Sequence, residues 1–348
     1  MDNHPFGLSD GDFWGNSEDA LMGFRRARMQ QGKDEILIDG PGKVSLDMRW
    51  TAPVIAYYGG SLRTIMANKF KDCAVLTAVR VETGTVYSQR AVPMTGGMGS
   101  PPDEDDPGDV RTSEMYDLEL RDCLKIPWES GTYLVTLLLR NFISNRLQVR
   151  LEKSQLAYRD PEVEKYLASR LKQPQPLPVW PPPAVWPALP AFELPYYRRL
   201  PESPEVPSQP GLALTIDRIV SLKPGARAIL RGSFRLPVAA RNIIPAASHP
   251  ELQYDFGYLR PTAIVPITLV IAGSDFLGPI QLNLRIPSYS EVAPSQPDQT
   301  TNGFFAIDLL QMEDMPRVPQ TYFIHALSGE FLTGPVLCAF VDEAAATR

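Results

Sequence analysis

Histidine is scarce in this chain, with three in 348 residues. Most hydrolytic and transfer chemistry near neutral pH uses histidine, and His4, His249 and His325 are widely separated in the sequence. A nucleophile elbow, a phosphate-binding loop, a zinc-protease motif and a dinucleotide-binding motif are all missing. We therefore predict that the protein is not an enzyme and that it needs no cofactor.

Cysteine is equally scarce, and Cys73, Cys123 and Cys338 cannot all pair within one chain. Their spacing matches neither a disulfide framework nor a zinc site. Residues 1–16 lack the basic start and the apolar core of a secretory signal, although a chain whose signal had been removed would also lack them. These features favour a cytoplasmic protein.

Clustered positive charge and long apolar runs are also missing. The formal net charge is −6, and the densest basic group, Arg25, Arg26 and Arg28, is typical of a solvated helix face. Nucleic acids and anionic membrane surfaces select clustered lysine and arginine, and the longest apolar runs are about half the length of a membrane helix. We predict no nucleic-acid partner and no membrane span.

Proline is abundant, and 13 of the 35 prolines fall within residues 174–210, which we name the strap. Proline fixes φ and donates no backbone hydrogen bond, so the strap can form neither a helix nor a central strand. It also carries aromatic residues that would form an apolar patch if they were left in water. We expect it to be ordered on the protein surface. These residues are Trp180, Trp186, Phe192, Tyr196 and Tyr197.

Short alternating apolar segments on either side of the strap predict β-strands, with turn residues between them. They include one alternation from Val44 to Trp50 and a single strand at 212–220. Short helices are predicted near residues 17–31 and 161–171. The resulting organisation is an all-β chain with two tandem antiparallel β-sandwich domains joined by the strap. Its segments are an irregular start with a short helix (1–33), sandwich domain 1 (34–158), a helix (159–173), the strap (174–210) and sandwich domain 2 (211–348).

The two domains read as an internal repeat when they are superimposed at one constant offset without a gap. The shared pattern is a strand, a corner that contains proline, a Thr-Tyr pair that opens the next strand, and a closing strand. The matched landmarks are 116–120 with 305–309, Pro127 with Pro316, Thr132-Tyr133 with Thr321-Tyr322, the turn glycine Gly84 with Gly273, and the closing strand Leu147, Val149 and Leu151 with Val336, Cys338 and Phe340.

The two Thr-Tyr pairs give each unit a resemblance to immunoglobulin-like and fibronectin-III-like modules. Such folds place a tyrosine at this corner, and its hydroxyl bonds to nearby backbone. The resemblance implies that Tyr133 and Tyr322 have this role. Val135 and Ile324 stand two residues later, so the inter-sheet disulfide of antibody domains is absent.

A loop near residues 93–111 holds the sequence's best candidates for metal binding. Calcium takes six to eight oxygen ligands, and Asp103, Asp105, Asp106 and Asp109 could converge on one ion at the tip of a sandwich. The spacing is not that of an EF-hand loop. We expect a solvated loop that binds calcium weakly at most, so no metal is predicted.

The strap contains a candidate peptide motif. Arg198 stands three residues before Pro201, and Pro204 follows three residues later, as in ligands of aromatic-lined grooves. A spacer role is the alternative interpretation of the same residues.

The outer face of the strand near residues 133–141 is unusually apolar. The corner tyrosine Tyr133 is expected to point towards the core. Because successive residues of a strand point to opposite faces, Leu134 and Leu138 then lie on the outer face. Phe323 and Leu327 stand at the equivalent positions in the second domain. A sheet with one wet face would carry polar residues here, so the pattern predicts a contact with the other domain, the strap or another chain.

Together these features predict a non-enzymatic interaction or assembly protein. It would bind a protein partner, or a second copy of itself, through sheet faces, loops or the strap. The alternative is a carbohydrate or small-molecule binding module that uses loop-tip aromatic residues and the acidic loop. An enzyme of unfamiliar type is the third reading.

Overall fold

The fold is mostly β-strand, in four sheets that form two groups, as the all-β prediction requires. It is known from a computed structural model that describes residues 5–10, 13, 18–49, 51–93, 110–153, 200–237, 244–245, 263–274, 279–288 and 300–342. The predicted helix at 161–171, most of the strap and the acidic loop lie outside these residues. Among the helices of the described ranges, none has the length and apolar character that a membrane crossing needs.

The first half, within residues 18–153, builds two facing sheets. One sheet has the order β1-β3-β6, and the other has the order β2-β9-β7-β4-β5 with β8 beside β7. The elements are α1 (Glu18–Gln31), β1 (Glu35–Asp39), β2 (Lys43–Ser45), β3 (Pro53–Ser61), α2 (Leu62–Asn68), α3 (Phe70–Cys73), β4 (Ala74–Arg80), β5 (Val86–Arg90), β6 (Arg111–Glu119), α4 (Leu120–Leu124), β7 (Gly131–Leu139), β8 (Phe142–Ile143) and β9 (Leu147–Glu152).

The second half, within residues 200–342, repeats this plan. One sheet has the order β10-β12-β16, and the other has the order β11-β19-β17-β14, with β13 and β15 beside β14 and β18 beside β17. The elements are β10 (Gly211–Thr215), β11 (Ile219–Ser221), β12 (Ile229–Pro237), β13 (Ile244–Pro245), β14 (Ala263–Gly273), β15 (Ile280–Ser288), β16 (Thr300–Asp308), a 3-10 turn (Leu309–Gln311), β17 (Gln320–Ser328), β18 (Phe331–Leu332) and β19 (Val336–Val341).

Each half has its core between its two sheets. In the first half Tyr133, Val135, Leu137 and Leu139 of β7 point inward, with the parity that the sequence predicts, and they meet side chains of β1, β3 and β6. In the second half Tyr322 and its neighbours on β17 do the same. Two apolar sheet faces thus cover each other.

The repeat is real in the strand pairing, but a single constant offset is wrong for the early strands. The offset that carries Glu119 onto Asp308 does not carry Glu35 onto Gly211, although these two residues begin equivalent strands. The match of Gly84 with Gly273 is also wrong. Gly84 is a turn residue with φ 68°, whereas Gly273 lies within β14 opposite Tyr322. Loops of unequal length between the strands break the register.

Both halves close the same corner with the same two contacts. Ala52 N donates to Glu119 Oε1 over 2.7 Å, and Ala228 N donates to Asp308 Oδ1 over 3.0 Å. The tyrosine that follows each corner donates its hydroxyl to the carbonyl of an earlier proline. These bonds join Tyr133 to Pro127 over 3.4 Å and Tyr322 to Pro316 over 2.7 Å.

The outer face of the three-stranded sheet is covered in each half by the chain segment that precedes it. In the first half, Phe24 of α1 packs edge-on against Tyr57, with ring centroids 5.4 Å apart. In the second half, Ser233 Oγ donates to the Glu205 carbonyl over 2.8 Å, and Arg235 donates to the Ser208 carbonyl over 2.7 Å. The predicted helix at 17–31 is α1, and it docks on this sheet.

The structure differs from the sequence-based prediction at three places. Strand β3 and the short helices α2 to α4 have no counterpart in the sequence-based reading. The alternation from Val44 to Trp50 predicts one strand, but β2 ends at Ser45 because Met48 and Arg49 turn back to its carbonyl. A predicted strand at 212–220 is two strands, β10 and β11.

Candidate interaction surface

The apolar outer faces of the two larger sheets meet each other within the chain. Leu138 of β7 and Leu327 of β17 are 2% and 3% exposed and belong to one cluster with Val270. Leu134 is half-buried against this cluster. Phe323 is also buried, and it pairs with Ala272 at the edge of the cluster. Leu134, Leu138 and Leu327 therefore lie in a contact between the two halves.

Polar groups frame this contact. Arg140, at the end of β7 with φ 52°, donates to the Ser274 carbonyl over 3.3 Å, and the Cys73 thiol donates to the same carbonyl over 3.4 Å. On another side, Gln281 Nε2 donates to the Val86 carbonyl over 3.1 Å. These bonds fix the direction in which one sheet crosses the other.

The structure describes two of the three residues of the candidate proline motif. Pro201 is exposed and Pro204 is half-buried, whereas Arg198 lies outside the described residues. Glu202 forms an ion pair with Arg231 on the outer face of the three-stranded sheet, with 3.2 Å between the charged atoms. Together with the Glu205 and Ser208 contacts, this pair holds the end of the strap on its own domain.

The acidic candidates Asp103, Asp105, Asp106 and Asp109 all lie outside the described residues. Within the ranges that the structure describes, no group of three histidine, cysteine or acidic side chains could hold a metal ion.

The buried thiols of Cys123 and Cys338 are poor nucleophiles at neutral pH. Burial, together with the charge of Asp217, raises the pKa of Cys338 to about 12, and burial also raises the pKa of Cys123. A thiol with a raised pKa is largely protonated, and the thiolate is the reactive form. All three cysteines are buried and free.

His325 lies at the contact between the halves and is 1% exposed. Burial lowers its pKa to about 4, although hydrogen bonds to the backbone of Thr333 and Arg140 oppose the shift. Its Nδ1 atom is buried without a hydrogen-bond partner. The imidazole is thus neutral and enclosed at neutral pH, which suits packing and does not suit proton transfer with a solute.

We expect His325 to make the folded chain less stable in mild acid. Its pKa is about 4 when folded and near 6.5 when unfolded, so between these values the unfolded chain binds the extra proton. Stability should fall as the pH drops from about 6.5 towards 4. Urea midpoints of the wild type and His325→Gln, measured from pH 8 to pH 5, test this. The wild type should lose more stability than the variant, and equal losses would contradict the assignment.

A second apolar area is exposed at the other edge of the same large sheet of the second half. Ile219 of β11 is 66% exposed, Leu337 of β19 is 44% exposed, and Ala339 and Val341 are half-exposed beside them. Cys338 and Phe340 point into the core, so these four residues share the outer face. We name Ile219, Leu337, Ala339 and Val341 the edge stripe.

The edge stripe continues the contact between the halves. Leu337 is paired with Phe323, which is paired in turn with Ala272 of the inter-half cluster. The next row pairs Ile219 with Ala339. One apolar band therefore crosses the sheet, covered by the first half at one side and open at the other.

The first half carries polar residues at every position that matches the edge stripe. Strand pairing places Lys43 at the position of Ile219, and Gln148, Arg150 and Glu152 at those of Leu337, Ala339 and Val341. Lys43 and Glu152 form an ion pair there. The fold itself therefore accepts a polar outer face at this edge, and the apolar residues of the second half need another explanation.

The edge stripe is absent from the sequence-based list of candidates, although the signal is present. The alignment of Leu147, Val149 and Leu151 with Val336, Cys338 and Phe340 is correct in the structure. Reading the residues between them would have shown charges in one half opposite apolar residues in the other. The sequence also did not separate β11 from β10, because it predicted one strand over 212–220.

Comparisons with known proteins add little to this geometry. No protein-family model matches the chain, and no curated protein matches it. A solved structure from a study titled "Structural basis of neurohormone perception by the receptor tyrosine kinase Torso" is 4% identical, and the match covers 89% of this chain and 76% of that one, with a TM-score of 0.18. A TM-score at this level carries no argument about fold or function.

Proposed function

We propose that the protein is a non-enzymatic interaction or assembly protein that binds a protein partner through the edge stripe. The observation that carries this proposal is the contrast between the two halves: the same edge is charged in one and apolar in the other. Apolar side chains that no core requires cost solubility, and proteins bury them in contacts. In this chain the outer-face leucines Leu138 and Leu327 already behave in that way.

We also infer that each sandwich is immunoglobulin-like or fibronectin-III-like. The support is the corner hydrogen bond of Tyr133 and of Tyr322, together with a three-stranded sheet facing a larger one in each half. The free state of all three cysteines supports a reducing, cytoplasmic location. Neither inference changes the partner surface.

The test is capture of partners by immobilised protein. Wild type, the double variant Ile219→Lys with Leu337→Gln, and the control Met66→Gln would be exposed to an extract of the source cells, and the bound proteins identified by mass spectrometry. The double variant copies the polar residues of the first half, so it should fold normally. Met66 is 66% exposed on α2, away from the edge stripe.

We expect the double variant to lose a defined set of proteins that the wild type and Met66→Gln retain. If wild type and double variant capture the same proteins, the edge stripe is not the binding surface and the proposal is wrong. Circular dichroism of all three proteins confirms that the substitutions leave the fold intact.

A further inference from the structure

We infer that the partner of the edge stripe is a second copy of this chain, bound by antiparallel pairing of β11 with β11 about a two-fold axis at Val220. The inference rests on the proposed function, since it names the occupant of the same surface. Strand β11 is at the end of its sheet order, so one side of it is paired with β19, and no strand of the described residues pairs with the other side. An open strand edge of this kind pairs readily with another strand.

The charges around β11 fit a second copy. Residues 217–223 read Asp-Arg-Ile-Val-Ser-Leu-Lys, and both Asp217 and Lys223 are exposed. Asp217 and Lys223 flank the three-residue strand β11, and the chain turns at Lys223, whose N–H donates to the Ser221 carbonyl over 3.0 Å. Antiparallel pairing centred on Val220 brings the Asp217 end of one copy beside the Lys223 end of the other, and the two-fold axis repeats this contact. Opposite charges brought together at an interface attract, and like charges repel.

The side-chain directions fit as well. Val220 is buried and stays in its own core, so Ile219 and Ser221 face outward. In the centred register Ile219 lies opposite Ser221 of the second copy and diagonal to its Ile219, within reach of a branched side chain. The two edge stripes then form one continuous apolar face across the axis, as an isologous interface requires.

In the first half, the equivalent strand β2 carries features that keep a strand edge from pairing with another chain. Strand pairing places Pro41 at the position of Asp217 and Lys43 at that of Ile219. The backbone N–H of Gly42 is already bonded to Asp10 Oδ1 over 2.7 Å. Proline, lysine and a covering segment are the usual ways to keep a strand edge from pairing. At the matched positions of the second half, Asp217 stands in place of the proline and Ile219 in place of the lysine.

The net charge of the chain means that two copies associate most readily where the local charges are balanced. Two copies with a formal charge of −6 each repel one another at long range. Among the described residues, the charged ones that flank β11 and β19 along the chain are two acids and two bases, Asp217, Asp342, Arg218 and Lys223, so neither sign dominates there. A foreign acidic or basic partner would favour a rim of one sign.

The test uses paired charge reversals in the full chain, measured by analytical ultracentrifugation. The wild type should sediment at twice the chain mass of 38.7 kDa. Asp217→Lys alone and Lys223→Asp alone each bring like charges together at both ends of the paired strands and should weaken the dimer by about tenfold. A mixture of the two variants restores both opposite-charge pairs, so the mixture should form a heterodimer of near wild-type affinity. Both positions are exposed, so neither variant should affect folding.

Ile219→Lys should abolish the dimer, and Met66→Gln should leave it unchanged. A wild type that stays monomeric at high micromolar concentration would overturn the inference, as would a mixture no tighter than either variant alone. If the chain is monomeric but the capture experiment still shows partners lost with the edge-stripe variant, the second copy is wrong and the proposed function stands. If both experiments are negative, both proposals fail.

Discussion

Replacing Gly232 with alanine is expected to destabilise the second half by about 2 to 3 kcal/mol. Gly232 lies in the middle of β12 opposite Phe305, whose ring is fully buried and rests directly on the glycine. A methyl group at this position would overlap the ring and not merely touch it. The ring is enclosed by the core, so the strand or the ring must move, which is the cost of overpacking.

Urea unfolding followed by circular dichroism measures this loss. Gly334→Ala is the control, because a methyl group there meets no atom within 4 Å. The double variant Gly232→Ala with Phe305→Leu should recover part of the loss, since leucine frees the space above the strand. If Gly232→Ala is as stable as the wild type, the close approach of ring and backbone is wrong.

The double variant Leu134→Asp with Leu138→Asp is expected to separate the two halves. Leu138 is buried in the inter-half cluster and Leu134 is half-buried there, so each substitution removes apolar contact. Burying a carboxylate beside Val270 and Leu327 without a partner adds several kcal/mol. We expect an overall loss of about 4 kcal/mol or more in the coupled stability of the halves.

Small-angle scattering and limited proteolysis would report the separation as a larger radius of gyration and faster cleavage between the halves. Gln148→Asp is the matched control, because Gln148 is exposed on the same sheet outside the cluster. A double variant with wild-type dimensions and melting temperature would show that this face does not hold the halves together.

The two strands β3 and β7 explain how far the sequence predicts the fold. β7 is found by sequence although it too is covered on both faces, because the Thr-Tyr pair of a sandwich corner opens the strand. β3 is missed because it is apolar on both faces: Tyr58 enters the core, whereas Tyr57 lies under Phe24 of α1. A strand covered on both sides loses its period of two, and β3 lacks a corner motif such as the Thr-Tyr pair that marks the start of β7.

The candidate surface shows a similar division. Parity alone places Leu134 and Leu138 on an outer face, and the structure shows that the other half covers them. Parity does not reveal that Leu337 is open, because a covered and an uncovered apolar face have the same sequence pattern. The assignment requires knowing which strand neighbours which, and strand order in a sandwich is set by long-range pairing.

The parallel pairing of the second strand with the last one in each half has a consequence for synthesis on the ribosome. In the first half, Lys43 of β2 pairs with Arg150 of β9, so that sandwich cannot close until its final strand has emerged. The segment from 154 to 199 then takes about 2 to 9 s to synthesise at typical rates, before any strand of the second half exists. Since the two halves share one strand plan, a strand of one could pair wrongly in the other during folding. The interval lets the first sandwich complete itself before its competitor appears, and we expect shortening of this segment to increase misfolding during translation.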